Sequence, residues 1–176
     1  MPRSLVFLLL FWCSHAFGGR LLEHSFEEKI SEAEVILLVK VLEVRRDLAG
    51  EDGVYSSAAL EVLDVIKGDI SGSPLQLVMS SAIPAADPKC CKVDSEYLVF
   101  ARKGATRLVV EDENIRTERV GLDRYISVVN GRFGVFSVEH EYVVDIRLDE
   151  KAESIGYQVL RDCVLKVIAR QRIGKG

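Results

Sequence analysis

Histidine is scarce in this chain and the familiar catalytic motifs are missing. Only three histidines occur in 176 residues. There is no G-x-S-x-G elbow, H-E-x-x-H helix, Walker loop or G-x-G-x-x-G turn. Those gaps exclude the common serine hydrolases, zinc proteases, P-loop enzymes and dinucleotide-binding enzymes. After the first residues, no apolar run approaches the roughly 20 residues that a membrane-crossing helix needs. Positive charge is not in excess either: 23 Lys and Arg stand against 27 Asp and Glu, a net charge of −4. Binding to a phosphate backbone depends on clustered positive charge, so no nucleic-acid partner is expected. The one basic concentration, Lys166, Arg170, Arg172 and Lys175, reads as a solvated helix face with cations near its C-terminal end. Internal repeats and low-complexity segments are absent.

What is present begins with a leader. Arg3 precedes the apolar run Leu5 to Trp12, and Ser14-His15-Ala16 places small residues before a cleavage site. Residues 1–18 therefore read as a signal peptide, cut after Ala16 or after Gly18. The alternative is a lipid anchor on Cys13, disfavoured by the bulky Trp12 before it. The chain is thus expected to be exported, to the periplasm or outside the cell. The remainder, about 160 residues, suits a single domain with a sizeable core.

Three cysteines follow the leader: Cys90, Cys91 and Cys163. In an oxidising compartment an odd count allows one internal bridge and leaves one thiol. The bridge favoured by this reading joins Cys163 to Cys90 or Cys91; a vicinal Cys90–Cys91 bridge is the strained alternative. Two adjacent cysteines ill suit one tetrahedral metal ion, and neither His24 nor His140 lies at zinc-type spacing from them. No metal and no cofactor are expected.

Ser25 and Glu28 form a capping box ahead of a short helix carrying Phe26, Ile30 and Ala33 on one face. Residues 34–46 then alternate with apolar side chains on both faces, which predicts a strand buried on both sides. Further strands are expected over 54–67, with a bend or bulge near Ser56–Ala59, then over 74–80 and 95–102, and briefly over 107–110. Residues 111–119 read as an exposed charged loop. Residues 124–138 read as a hairpin turning at Asn130-Gly131, and residues 141–146 as another strand. A helix is expected over about 152–171, with one apolar row of Ile155, Val159, Cys163 and Val167 and a second of Leu160, Val164 and Ile168. Short strands with a helix at each end predict a mainly β fold. The expected form is an OB-like barrel over about 25–146, within one domain spanning 19–176.

Three short segments carry a resemblance. They are Glu32-Ala33-Glu34-Val35-Ile36, Val65-Ile66-Lys67-Gly68, and Glu96-Tyr97-Leu98-Val99-Phe100-Ala101. In this order the stretch from Ser25 to Ala101 resembles the netrin-like domain shared with tissue inhibitors of metalloproteinases. The resemblance implies an OB-fold, a five-stranded barrel flanked by helices. Inhibitors of that family chelate the protease zinc through an N-terminal Cys-x-Cys. This chain has no cysteine between Cys13 and Cys90, Val39 where the family often has Gly, and Asp94-Ser95 where it has a Gly before Glu-Tyr-Leu. The fold is implied, but the inhibitory motif is missing.

The remaining candidates are weak as chemistry. Gly131-Arg132-Phe133-Gly134 has the spacing of a nucleic-acid GxxG loop but reads better as a turn. Glu139-His140-Glu141 would alternate faces in a strand, leaving His140 to solvent. Glu111, Asp112 and Glu113 lack the ordered spacing of a calcium loop. A thiol enzyme built on Cys90 or Cys91 would need His24 or His140 as its base. The reading is therefore a non-enzymatic binding module with another secreted or envelope protein as its partner. A metalloprotease inhibitor-like protein and a secreted thiol enzyme are the alternatives. Intact mass of the exported protein tests the leader: the chain is expected to start at Phe17 or Gly19, whereas a diacylglyceryl Cys13 start would establish the lipid anchor.

Overall fold

The computed structural model describes residues 23–50, 53–70, 74–80, 90–111, 114–147 and 152–173. The leader, Cys13, and the acidic pair Asp112 and Glu113 lie outside them. Helix α1 (Phe26–Glu32) starts as its capping box predicts. Ser25 Oγ accepts from the Glu28 amide at 3.2 Å, and Glu28 Oε2 accepts from the Ser25 amide at 2.7 Å. The Ser25 backbone bond, followed by its hydroxyl, holds the Glu28 carboxyl below the ordinary carboxylate range. The chain turns extended at Ala33 and enters β1 (Val35–Gly50).

Strands β2 (Gly53–Lys67), β3 (Leu75–Ser80), β4 (Glu96–Lys103) and β7 (Tyr125–Val128) complete a closed five-stranded barrel with β1. Its order is β1-β2-β3-β7-β4, and β4 returns to β1 in antiparallel register from Val35↔Ala101 to Lys40↔Glu96. The β3–β7 contact is parallel, Gln76 opposite Tyr125. This is an OB-like topology, as the order of strands in the sequence implies. Val35, Leu37, Val39 and Val41 point into the barrel with Leu60, Leu77, Val99 and Ile126. Ile36 points outward, with Leu98, Phe100 and Phe136, beneath the two helices. Over Val35–Val41 both faces of β1 are therefore covered, one filling the cylinder and the other meeting helices, whereas Leu42, Glu43, Arg45 and Arg46 beyond it are exposed.

Several elements differ from the sequence expectation. Residues 124–138 are not a hairpin. Asn130 and Gly131 do adopt left-handed φ values of 57° and 54°, and a 3-10 turn follows over Gly131–Phe133. The arms, however, do not pair with each other. Both lie along β4: Ala101–Lys103 pair with β7, and Glu96–Val99 pair with β8 (Val135–Glu139). The turn is thus a kink by which one strand leaves the barrel and continues as a flap. Gly134 permits it, because a Cβ there would sit 2.0 Å from the Val129 carbonyl oxygen. The hairpin that does form is β8–β9 (β9, Tyr142–Arg147), closed by His140-Glu141 with φ values of 49° and 68°. Residues 139–141 therefore do not alternate as a strand, although His140 is exposed as expected.

Residues 114–119 are not a loop. Strand β6 (Asn114–Val120) pairs along β5 (Ala105–Glu111) as a separate two-stranded arm. Arg119 anchors it, with its guanidinium donating to both carboxylate oxygens of Glu34 at 2.8 Å. That bond, the larger influence, holds the Glu34 carboxyl below its usual range. Residues 152–156 form a strand rather than a helix. As β10 (Ala152–Gly156) they pair with β9, and only then does α2 (Tyr157–Ile173) begin. The buried face of α2 is Tyr157, Leu160 and Val164, with Val167 and Ile168 partly covered. The row through Val159 is not the buried one, because Val159 is exposed.

A bulge sets where α2 docks. Leu38 pairs with Asp64 and Val39 with Val62, so Leu63 has no partner across the ladder. An extra residue flips every later side chain to the opposite face. Leu60 and Val62 line the barrel, whereas Asp64 and Ile66 lie outside with the helices. The irregularity expected near Ser56–Ala59 is present too, as a register shift between Arg45 and Leu48 opposite Ser56, and further extra residues are Leu42 on β1 and Ile66 on β2. Asp64 accepts from Tyr157 Oη at 2.7 Å and from Arg161 Nε at 2.8 Å. Partial burial works to raise the Asp64 pKa, but these two donors outweigh it and hold it below the usual range. Burial, then the bond to Asp64, pushes the Tyr157 hydroxyl well above an ordinary phenol.

The signs give a pH window. Asp64 titrates lower in the folded chain, so its contribution is present above about pH 4 and lost as pH falls further. Tyr157 titrates higher, so its contribution is present below about pH 10 and lost as pH rises beyond it. Urea denaturation across pH is expected to show both declines. Tyr157→Phe is expected to remove the alkaline decline and to cost about 1–2 kcal/mol at neutral pH.

Candidate functional site

The flap strands and the start of α2 stand away from the barrel and leave a groove of about 460 Å³ on its outer side. Leu38, Val138 and the bulged Leu63 give it apolar lining. Tyr142 from β9 and Val159 from α2 line it as well. These are not core residues: Leu63 is 43% exposed, Tyr142 54% and Val159 57%. Each is solvent-facing for a local reason. Leu63 is the extra residue of a bulge, Tyr142 follows a two-residue turn, and Val159 lies on the face of α2 turned from the barrel. The α2 start is held at this place by the Tyr157 amide, which donates to the Glu141 carbonyl at 2.7 Å.

Charge lies at one end. Glu96 and Glu141 line the groove and also line a neighbouring hollow of about 650 Å³ with Glu139, His140 and Asp94. The bases nearby are Lys92, which lines that hollow, and Lys40, which is 3.1 Å from Asp94. The two depressions form one surface, apolar beside α2 and carboxylate-rich around the β8–β9 turn. Such a surface can bind a side chain that is apolar along its stem and positive at its tip.

The sequence-derived candidates are dispersed. Cys91 is buried in the barrel interior, and Cys90 packs beside the same cluster. The two are bonded to each other, and Cys163 is a free, half-buried thiol on α2. The pairing favoured from sequence, Cys163 with Cys90 or Cys91, is therefore not the one present. Helix α2 covers the outside of the sheet whereas Cys91 lies inside it, so the sheet separates them. His24 stands at the start of α1, with its amide bonded to Asn130 and its Nδ1 2.9 Å from Glu32. His140 is in the β8–β9 turn. Neither histidine shares the barrel interior with Cys91. Arg170 and Arg172 end α2, exposed as expected.

Among the described residues there is no group of three or more His, Cys, Asp or Glu placed to hold a metal ion. No helix among them is long and apolar enough to cross a membrane. The three segments carrying the sequence resemblance meet in space. Lys67 Nζ donates to the Ala33 carbonyl at 2.6 Å, and the Glu34 amide donates to the Ala101 carbonyl at 2.9 Å. A Cβ on Gly68 would lie 2.3 Å from the Glu34 carbonyl oxygen. Those residue types are demanded by chain closure at one end of the barrel. The groove was not legible beforehand, since Val159 reads from sequence as part of an apolar helix row and the bulge that exposes Leu63 depends on its partner strand. No protein-family model matches the chain, and no characterised protein matches it in sequence.

Thiol counting tests the cysteine assignment. Unfolded, unreduced protein is expected to take one alkyl group, located by peptide mass at Cys163. Three alkylated cysteines, or an adduct on Cys90 or Cys91, would contradict it.

Proposed function

We propose that this chain is an exported binding module of the netrin-like kind, which holds a segment of another exported protein in the groove between β4, the β8–β9 turn and α2. The observation that carries the reading is the groove itself. Leu63, Tyr142 and Val159 expose apolar surface beside Glu96 and Glu141. Exposed apolar surface rimmed by polar groups marks interaction sites and ligand-binding grooves. The favoured occupant is a peptide segment bearing Lys or Arg next to a large apolar residue, since it satisfies both ends of the groove. The leader-like N-terminus and the order of the three resembling segments support the export and the kinship. The placement of Cys91 inside the barrel, away from His24 and His140, supports binding over thiol catalysis.

A displayed random-peptide library selected on the folded protein tests this. Peptides combining basic and large apolar residues are expected, with affinity that falls as salt rises. Val159→Asp and Glu141→Lys are expected to weaken the selected peptides at least about tenfold, or roughly 1.4 kcal/mol. Selection of acidic peptides, or binding indifferent to both substitutions, would overturn the proposal.

A further inference from the structure

We propose that the sulfur atoms of Met79, Cys90 and Cys91, once the cysteine pair is reduced, form a binding site for the soft monovalent cation copper(I). The site lies on the barrel-interior side of the sheet, apart from the groove, and does not depend on the groove's occupant.

Two segments eleven residues apart bring Met79 and Cys90 together. Met79 is near the end of β3, and Cys90 and Cys91 lead toward β4. Cys90 Sγ is 4.0 Å from Met79 Sδ, and Cys90 is bonded to Cys91. Met79 is 8% exposed and Cys91 7%, both within the apolar barrel cluster, while Cys90 is half-buried at its edge. Cys91 adopts φ of 110°, a conformation that residues with a Cβ rarely take. It is nonetheless held with its side chain in the core. Such backbone outliers concentrate at functional positions.

The donor set selects the ion. Two thiolates and a thioether are soft ligands, suited to copper(I) rather than to oxygen-preferring cations. Adjacent cysteines are poor for a tetrahedral ion, but a two- or three-coordinate ion does not need tetrahedral angles. Sulfurs held about 2.3 Å from a trigonal ion, the length of a zinc–thiolate bond, stand about 4 Å apart; Met79 Sδ already lies 4.0 Å from Cys90 Sγ in the disulfide form. No fourth protein ligand is required, and Met79 and Cys91 belong to the apolar barrel cluster, which disfavours water at a bound ion.

The chemistry balances in two steps. A dithiol gives its two hydrogens to the Cys90–Cys91 bond and closes to its own disulfide, or a phosphine takes the oxygen of one water, whose two hydrogens go to the sulfurs, and becomes a phosphine oxide; either way the bond becomes two thiols. Copper(I) then displaces both thiol protons to water and binds two thiolates, with Met79 Sδ completing the coordination.

The test uses the whole chain, reduced with a phosphine, freed of it under nitrogen, and titrated with copper(I) against a chromophoric copper(I) chelator. One equivalent is expected to leave the chelator, with near-ultraviolet thiolate-to-copper absorbance appearing in proportion. Unreduced protein, which keeps the same fold without free thiols at this site, is expected to take none. Met79→Leu, nearly equal in volume, is expected to weaken binding by about tenfold or more, since even outer-shell partners of a metal are worth that much. Any of three results overturns the proposal. They are no withdrawal by reduced protein, equal affinity in Met79→Leu, and a reduced chain whose circular dichroism no longer shows the β fold.

Discussion

The ladder between Val35–Lys40 and Glu96–Ala101 serves two cores at once. Its inward side chains, Val35, Leu37, Val39, Tyr97 and Val99, fill the cylinder. Its outward ones, Ile36, Leu98 and Phe100, meet α1, α2 and the flap. Phe100 sits between Phe26 and Phe136 with edge-to-face ring contacts at 6.0 and 5.9 Å. Strands of this kind carry apolar side chains on both faces, and a one-residue slip would exchange the two sets of side chains. The Gly68 and Lys67 contacts with Glu34 and Ala33 pin one end of this register.

Around that ladder the structure places its polar groups as locks. Lys29 is fully buried, yet its ammonium is 2.7 Å from Glu23 and stands over the Phe136 ring. A buried cation is tolerable only with such partners. Asp64 ties α2 to β2, and Glu34 ties the β5–β6 arm to the start of β1. Neither lock closes over the groove beside α2. The apolar surface left there and the carboxylates of the β8–β9 turn are consequences of how the flap and helix are anchored. The sulfur cluster, by contrast, lies on the barrel-interior side of the sheet.

Much of the scaffold was legible in the chain. The capping box at Ser25 and Glu28, the doubly apolar β1 and the helix row Leu160, Val164 and Ile168 all read directly, because each depends on spacing within a few residues. The errors share one cause. Asn130-Gly131 is a genuine left-handed turn, but which strand its arms pair with depended on β4, thirty residues earlier. Ala152–Gly156 has no strong local preference against a helix, and the open edge of β9 made it a strand. The alternating charges of β6 look the same in a loop as in a solvated hairpin.

Local residue order alone determined the mainly β character, the helix at each end and the alternation that buries β1, since these follow from backbone periodicity and capping. Three things were decided only by the folded chain: the bulge at Leu63, the partner of each cysteine and the groove's mixed lining. Each depends on contacts between residues far apart in sequence. A single unpaired residue reverses which face a side chain occupies, and a sheet can separate two thiols that composition alone would join.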